Sequence, residues 1–520
     1  MQTVERWDVF EITTEGKDQG NPFLDYEIKG TFDSENEHVI VDGFYDGNRT
    51  YKVRFMPSYE GIYRYRISGT FSDEVTEGCF EAVSAVNEKN HGPVCVVDDL
   101  HLGYADGTPY YSIGTTCYAW VNQDTELQEK TLITLEGSVF NKIRFCIFPK
   151  YYDYNKKDPL TYPFERGNGE GLNNKLVEKE ARERILFPGM QPPVLDTKFN
   201  YYRPNIKHFQ RYDLRIRQLK DLGIEADIIL MHPYDRWGNN MMNQECCDAY
   251  LRYVVARFGA YRNVWWSLAN EYDLIITKTE ADWERYAAVI CDKDPYHHLK
   301  SIHNCFGFYD YTKPWITHCS AQRIDFYRHV EYTDEYLVKY KKPVVWDEIG
   351  YEGNLPLGWG NLTPQELVRR FWEAFLRGGH AGHGETYLDS NDIIWWSHGG
   401  ILKGESPIRL KFLLEILKAI PGGYLKKGYG LFDEVVGIPQ KEEKEDKGFG
   451  TPFCGYEIHY FGINQPAFRM LYFMDEDAYD IDVIDTWNMT VTNIGIHSGA
   501  VKVPLPQRPY MAIRIKKVEV

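Results

Sequence analysis

No stretch of this 520-residue chain is apolar for long enough to cross a bilayer, so nothing in it reads as a membrane span. The N-terminal run Met1-Gln2-Thr3-Val4-Glu5-Arg6-Trp7 has no basic head followed by an apolar stretch, so no signal peptide is read and a cytoplasmic chain is expected. Cysteines at metal or redox spacing are also missing. The ten cysteines are scattered, no C-x-x-C pair occurs, and the adjacent Cys246-Cys247 has no metal-site spacing. Reduced, mostly buried thiols are expected, with Cys117, Cys146 and Cys319 lying in apolar runs. Positive charge is in deficit. The 59 Lys and Arg against 76 Asp and Glu leave a net charge of −17, which repels nucleic acid and anionic membranes and favours neutral ligands. The one dense charge run, residues 441–447, mixes both signs among Gly and Pro and reads as a solvated loop. There are no internal repeats and no low-complexity segment.

Aromatic residues are abundant. They make up 15% of the chain, with 39 Tyr and 13 Trp. Such residues serve strands and cores first, but an excess also suits a saccharide site, where rings stack on sugars. The length implies two to four domains. Residues 1–90 read as a small β-sandwich, from the alternating runs Val39-Ile40-Val41, Tyr51 to Phe55 and Tyr63 to Ile67 with turns such as Asp46-Gly47-Asn48 between them. Residues 87–93 form a polar linker. Residues 425–520 return to strand-like patterns and imply a second sandwich.

Between them, residues 96–423 alternate short apolar strands with helical segments. The strands are placed at Tyr110 to Thr115, Lys142 to Phe148, Ala226 to Met231, Val264 to Leu268, Leu299 to His303, Trp315 to Cys319, Pro343 to Trp346, and Glu385 to Leu388. Eight such units argue for an α/β fold of the (β/α)8 TIM-barrel kind, flanked by the two sandwiches. Thr363-Pro364-Gln365-Glu366 is expected to open a helix with a hydroxyl cap, a proline at the first position, and a Glu placed to close a capping box. The long connection from about Pro149 to Pro204 follows the second strand and should shape the pocket.

Two segments end abruptly in an acid: Trp265-Trp266-Ser267-Leu268-Ala269-Asn270-Glu271 and Val344-Val345-Trp346-Asp347-Glu348. In a parallel barrel all strands point their C-terminal ends to one face, so chemistry collects there. A single Glu at a strand end reads as a loop salt bridge. Glu271 after the fourth strand and Glu348 after the seventh, with Asn270 beside the first, point instead to paired carboxylates and cleavage of a glycosidic bond. His232, Asp235 and Trp237 follow the third strand, His303 the fifth. His318 and Asp389 sit near the ends of the sixth and eighth. Glu385 frames the eighth strand, and Trp120 follows the first. Each is a candidate sugar contact by position. The bland alternatives are satisfied core histidines, rim salt bridges, and tryptophans packed beneath loops.

The chain resembles the large clan of retaining glycosidases built on (β/α)8 barrels, on Asn270-Glu271 and Glu348. That resemblance implies Glu271 as acid/base and Glu348 as nucleophile. It also implies Arg144 beside the nucleophile, Asn270 on the sugar 2-hydroxyl, and Trp395 or Trp396 as platform under the reacting ring. A closer resemblance covers nearly the whole chain. Gly43-Phe44-Tyr45-Asp46-Gly47 with Val53-Arg54-Phe55-Met56-Pro57 looks like the N-terminal sandwich (DUF5060-like) of the apiosidase-like group. His232-Pro233-Tyr234-Asp235-Arg236-Trp237-Gly238 and Trp395-Trp396-Ser397-His398-Gly399-Gly400 look like its barrel (DUF4038-like), and Asp482 to Trp487 its C-terminal companion (DUF5605-like).

The implied reaction is double displacement. Carboxyls ~5 Å apart would mean retention and ~9 Å inversion. Burial and the charge of Glu348 should raise the pKa of Glu271, while Arg144 should keep Glu348 ionised by charge and hydrogen bonding. Exo action on small glycosides or oligosaccharides is expected of a cytoplasmic enzyme, with no cofactor and no metal; homo-oligomerisation stays open. Two alternatives stand beside this reading. One is a non-catalytic carbohydrate-binding protein on the same scaffold, which should lack one of the acids. The other is a metal-dependent barrel hydrolase using His380, His383 and Glu385, which would need a His pair where the first strand ends in Thr115-Thr116-Cys117.

Overall fold

The computed structural model describes residues 1–185, 193–325, 328–389, 393–430, 434–440 and 453–518. The charge run at 441–447 lies outside these. At the centre is an eight-stranded, all-parallel, nearly closed barrel. Its strands are β1 (Ile113–Thr116), β2 (Lys142–Cys146), β3 (Glu225–Ile229), β4 (Val264–Ser267), β5 (Lys300–Ser301), β6 (Cys319–Gln322), β7 (Val344–Glu348) and β8 (His380–His383). Neighbours pair in the order β5-β4-β3-β2-β1-β8-β7-β6. The strands are buried along nearly their whole length, as parallel strands covered by helices must be.

Two strands differ from the expectation. The sixth is Cys319–Gln322, so Trp315 stands before it rather than in it. The eighth is His380–His383, and Glu385–Thr386 forms a separate parallel pair with Glu352–Gly353. The reason is chemical. His-Ala-Gly-His carries no β-branched residue and does not advertise a strand. Gly382 is needed there because a Cβ would stand 2.5 Å from the Asp347 carbonyl of β7.

Helices fill the outer layer where their caps and apolar faces predict. The helix α1 (Glu280–Lys293) starts in a capping box between Thr279 and Asp282, and buries Trp283, Tyr286, Ala287 and Ile290. The helix α2 (Pro364–Leu376) has the expected Thr363 cap, which accepts from the Glu366 amide, and Pro364 at its start. No capping box forms there, because Arg369 and Arg370 take the Glu366 carboxylate at 2.8 Å each.

The flanking sandwiches are antiparallel for the most part. The N-terminal one packs a five-stranded sheet on a three-stranded one around Phe10, Phe32, Val53, Phe55 and Phe80. Burying each such side chain stabilises by roughly 1.5–3 kcal/mol. It is tied to the barrel by Arg54, which reaches Asp213 and the Arg257 carbonyl, and by Arg257, which reaches Asp46 at 2.8 Å. The C-terminal sandwich pairs a six-stranded with a two-stranded sheet. Tyr460 stacks on Trp372 of α2 at 5.5 Å, and Arg409 lies 3.5 Å over Trp487.

Candidate active site

The site is built on a charged floor inside the barrel. Strand β2 places Lys142 and Arg144 two residues apart, on one side of the strand. Asp227 faces Arg144 in register on β3, and Asp347 comes from β7. Lys142 Nζ lies 3.1 Å from Asp227 and 2.5 Å from Asp347; Arg144 Nη1 lies 3.1 Å and 3.5 Å from the same acids. Ser320 of β6 also donates to Asp347. All four charged groups are at most 2% exposed, and their charges cancel. Burial alone would raise the Asp347 carboxyl, but Lys142 and Arg144 hold it well below the usual carboxylate range.

Above this floor stand the two glutamates. Glu348 is the last residue of β7. Glu271 follows β4 by four residues, in a left-handed conformation with φ 50°. That backbone costs about 1–2 kcal/mol for a residue with a side chain. Flanking ties hold it: Asn270 N donates to the Met231 carbonyl at 3.0 Å and Tyr272 N to the His303 carbonyl at 2.9 Å. Glu271 Oε2 accepts from the Tyr234 hydroxyl at 2.7 Å and from Asn270 Nδ2 at 3.1 Å. Its Oε1 lies 3.4 Å from Gln322 Nε2. Gln322 is the register partner of Glu348 just past a bulge that leaves Asp347 of β7 without a register partner, a device that re-aims a side chain.

Glu348 Oε1 accepts from the Tyr118 hydroxyl, which also lies 3.2 Å from Asn270 Oδ1. Asn270 thus stands between the two acids, and its Oδ1 accepts from Arg144 Nη2 at 3.3 Å. Burial, and next the charge of Glu271, push the Glu348 carboxyl up to about 7, against the pull of Tyr118, Lys150 and Arg144.

Arg144 therefore acts on Glu348 by charge alone. Its hydrogen bonds go to Asp227 and Asn270, which corrects the expectation of a direct bond to Glu348. His303 is brought into the site, with Nδ1 3.9 Å from Glu348 Oε1. Neither of its ring nitrogens has a hydrogen-bond partner among the described residues. Burial, then the charge of Arg144, holds this imidazole well below its usual range, so it is neutral. Trp396 also belongs to the site's surroundings, in an aromatic cluster with Tyr118 at 5.7 Å, Tyr152 at 5.3 Å and Trp359 at 5.1 Å.

Other candidates are occupied elsewhere. His232 spends both ring nitrogens on backbone, at the Phe148 carbonyl and the Tyr234 amide, and burial drops its pKa to about 3. The Asp235 carboxylate gathers the Trp237 and Asn240 amides and the Asn239 side chain, shaping its own loop. Glu385 accepts from the Lys403 and Gly404 amides at 2.5 Å and 2.7 Å. Trp395 donates to Thr115 at 2.8 Å. Trp120 and Trp237 are 0% and 1% exposed, packed against Phe145 and Tyr151, so neither offers a free face. His318 is buried beside Trp265, and Asp389 pairs with Lys403. His380 and His383 are engaged with Ser112 and Thr115. Among the described residues no three His, Cys, Asp or Glu side chains converge as a metal site.

Sequence reasoning missed Tyr118, Tyr234, Gln322 and Lys150, and also the acids Asp227 and Asp347. The acids had a signal, since a charge inside an otherwise apolar strand demands a partner. Tyr118 and Tyr234 follow β1 and β3 closely, but tyrosine is too common in this chain for position alone to single them out.

Residues 98–400 match the apiosidase-like catalytic domain. The chain belongs to the apiosidase-like family. Residues 3–70 and 450–516 match DUF5060 and DUF5605, two domains of unknown function. A solved structure from Bacteroides vulgatus, provisionally assigned as a glycoside hydrolase, is 34% identical over 100% of both chains, with a TM-score of 0.85. A glycoside hydrolase family 5 structure from the same species is 14% identical, covers 82% of this chain and 94% of its own, and has a TM-score of 0.57, a likeness of fold. No curated protein sequence matches significantly. Family and architecture together make this apiosidase-like barrel a glycosidase. Among the described residues no helix is long and apolar enough to cross a membrane.

Proposed function

We propose that the enzyme is a retaining, exo-acting glycosidase with Glu348 as nucleophile and Glu271 as acid/base. One observation carries the reading: Glu271 after β4 and Glu348 at the end of β7 are linked through Asn270, which bonds Glu271, and Tyr118, which bonds Glu348 and Asn270. Glu348, turned toward a bound sugar, attacks the anomeric carbon as a carboxylate. Glu271 gives its proton to the departing oxygen, then takes one from the water that releases the glycosyl-enzyme.

Supporting groups fit these roles. Arg144 and Lys150 favour the anionic form of Glu348, as does the Tyr118 hydroxyl. Asn270, held by Arg144, keeps its place for a sugar hydroxyl whose hydrogen bond tightens in the transition state. His303, neutral and without a hydrogen-bond partner among the described residues, is placed to meet a sugar hydroxyl. Tyr152, Tyr154, Trp359 and Trp396 form an aromatic wall. Two of these belong to the long segment after β2, and such a wall on one side favours exo action on small glycosides.

The test is stereochemical. Proton NMR of the first-formed sugar should show the anomer of the substrate. Initial release of the opposite anomer would defeat the retaining route.

A further inference from the structure

Lys150 acts on Glu348 by charge at a distance and makes no bond in the reaction above. It is 2% exposed. Its Nζ lies 3.6 Å from the ring centroid of Tyr118, 4.3 Å from Tyr234, 4.6 Å from Tyr152 and 5.3 Å from Trp396. The hydroxyls of three of these rings are committed elsewhere: Tyr118 to Glu348, Tyr234 to Glu271, Tyr152 to Ser397. Among the described residues the ammonium makes no hydrogen bond and no ion pair. Ring faces attract its charge, but they give its three N–H donors no ordinary acceptor. Lysines are almost never buried in this state, because an unpaired charge away from water is costly.

The surroundings narrow what should pair with it. The floor beneath is self-neutralised, so Asp227 and Asp347 are spent on Lys142 and Arg144. The glutamates take their donors from tyrosines rather than from this lysine. A sugar hydroxyl would satisfy one donor and leave the charge unpaired. A carboxylate offers two oxygens and a full counter-charge. It would leave the site with one excess negative charge, which the positive charge developing in an oxocarbenium-like transition state offsets. The chain's net charge of −17 does not oppose this. Surface charges are screened beyond about 10 Å in salt, so the local ammonium decides.

We propose that Lys150 binds a carboxylate on the glycone, so that the substrates are glycosides of carboxylated sugars, the hexuronic acids. This rests on the glycosidase reading of the same site. The test compares 4-nitrophenyl glucuronides and galacturonides, both anomers, with the matching neutral glycosides. The wild-type enzyme should favour one uronide, and Lys150→Met should lower the uronide-to-neutral ratio of kcat/KM about 100-fold, as expected when one partner of a buried charge pair is removed. Lys150→Arg, which keeps the charge, should retain part of that ratio.

A neutral glycoside used as well as its uronide overturns the inference and leaves the glycosidase reading standing. So does an equal loss on both substrates in Lys150→Met. If no glycoside of either class turns over, a binding arm reads the lysine instead. Free hexuronates should then raise the Tm of the wild-type protein more than neutral hexoses do, and not that of Lys150→Met. Equal shifts overturn the assignment.

Discussion

Two layers of the barrel interior carry charge, and they treat it oppositely. In the lower layer, Lys142, Arg144, Asp227 and Asp347 answer each other within 2.5–3.5 Å. In the upper layer, Glu271 and Glu348 are met by tyrosine hydroxyls and an amide, and Lys150 by ring faces. The lower layer is buried throughout, and the upper one nearly so, with 12% of the Glu348 side chain exposed. The lower one is closed: every charge is cancelled within the protein, and its role is to hold β2, β3 and β7 together and to aim Arg144 at Asn270. The upper one is open, with charges stabilised enough to stay in place but left for a ligand to complete. Burial alone does not mark a functional charge; burial without a close ion pair does.

Breaking the lower layer should have the largest effect. Asp347→Asn leaves Lys142 and Arg144 with one acid between them, and losing one partner of a buried ionic group costs about 3–5 kcal/mol. Tm by circular dichroism should fall steeply, and activity with it. The same logic sets a pH direction. Asp347 is held below its unfolded value, so its stabilisation is present above about pH 4 and is lost as the pH drops through its folded pKa. An acid-unfolding midpoint that does not move in Asp347→Asn would contradict the closed-layer description.

Tyr118→Phe touches the upper layer alone. It removes one hydrogen bond to a charged group, worth about 1.5–3 kcal/mol, so kcat/KM should fall about 10- to 100-fold with Tm nearly unchanged. The hydroxyl favours the anionic Glu348, so its loss should raise that pKa further above about 7 and move the acidic limb of the kcat/KM profile to higher pH. A profile that shifts the other way would remove Tyr118 from this role. The smallest effect on catalysis is expected from Trp120→Phe, which lies under the site against Phe145. Its KM should stay within about twofold, with a fall in Tm as the readout of lost core packing. A large change in KM would mean that Trp120 does reach substrate.

Much of this architecture was legible in the residues, for physical reasons. The barrel showed because its strands are apolar, short and spaced by helical periods, and Glu271 and Glu348 showed because an apolar strand that stops at an acid is unusual. β8 was misplaced because His380-Ala381-Gly382-His383 makes its strand by close backbone approach to β7, not by strand-forming side chains. His232, Asp235 and Glu385 lie near strand ends, but backbone amides and carbonyls claim them, and such claims depend on loop shape. Lys150 escaped notice because its meaning lies in four rings from separate segments of the chain.

The central claim is that Glu348 bonds to the sugar while Glu271 moves the protons. Glu271→Ala tests it directly with a dinitrophenyl glycoside, whose leaving group needs no proton. Attack by Glu348 should proceed, and release, which needs the missing base, should stall. Mass spectrometry of the quenched variant should then find one glycosyl residue on the peptide that carries Glu348. No adduct, together with a product of inverted configuration, or an adduct on any other residue, would contradict the account.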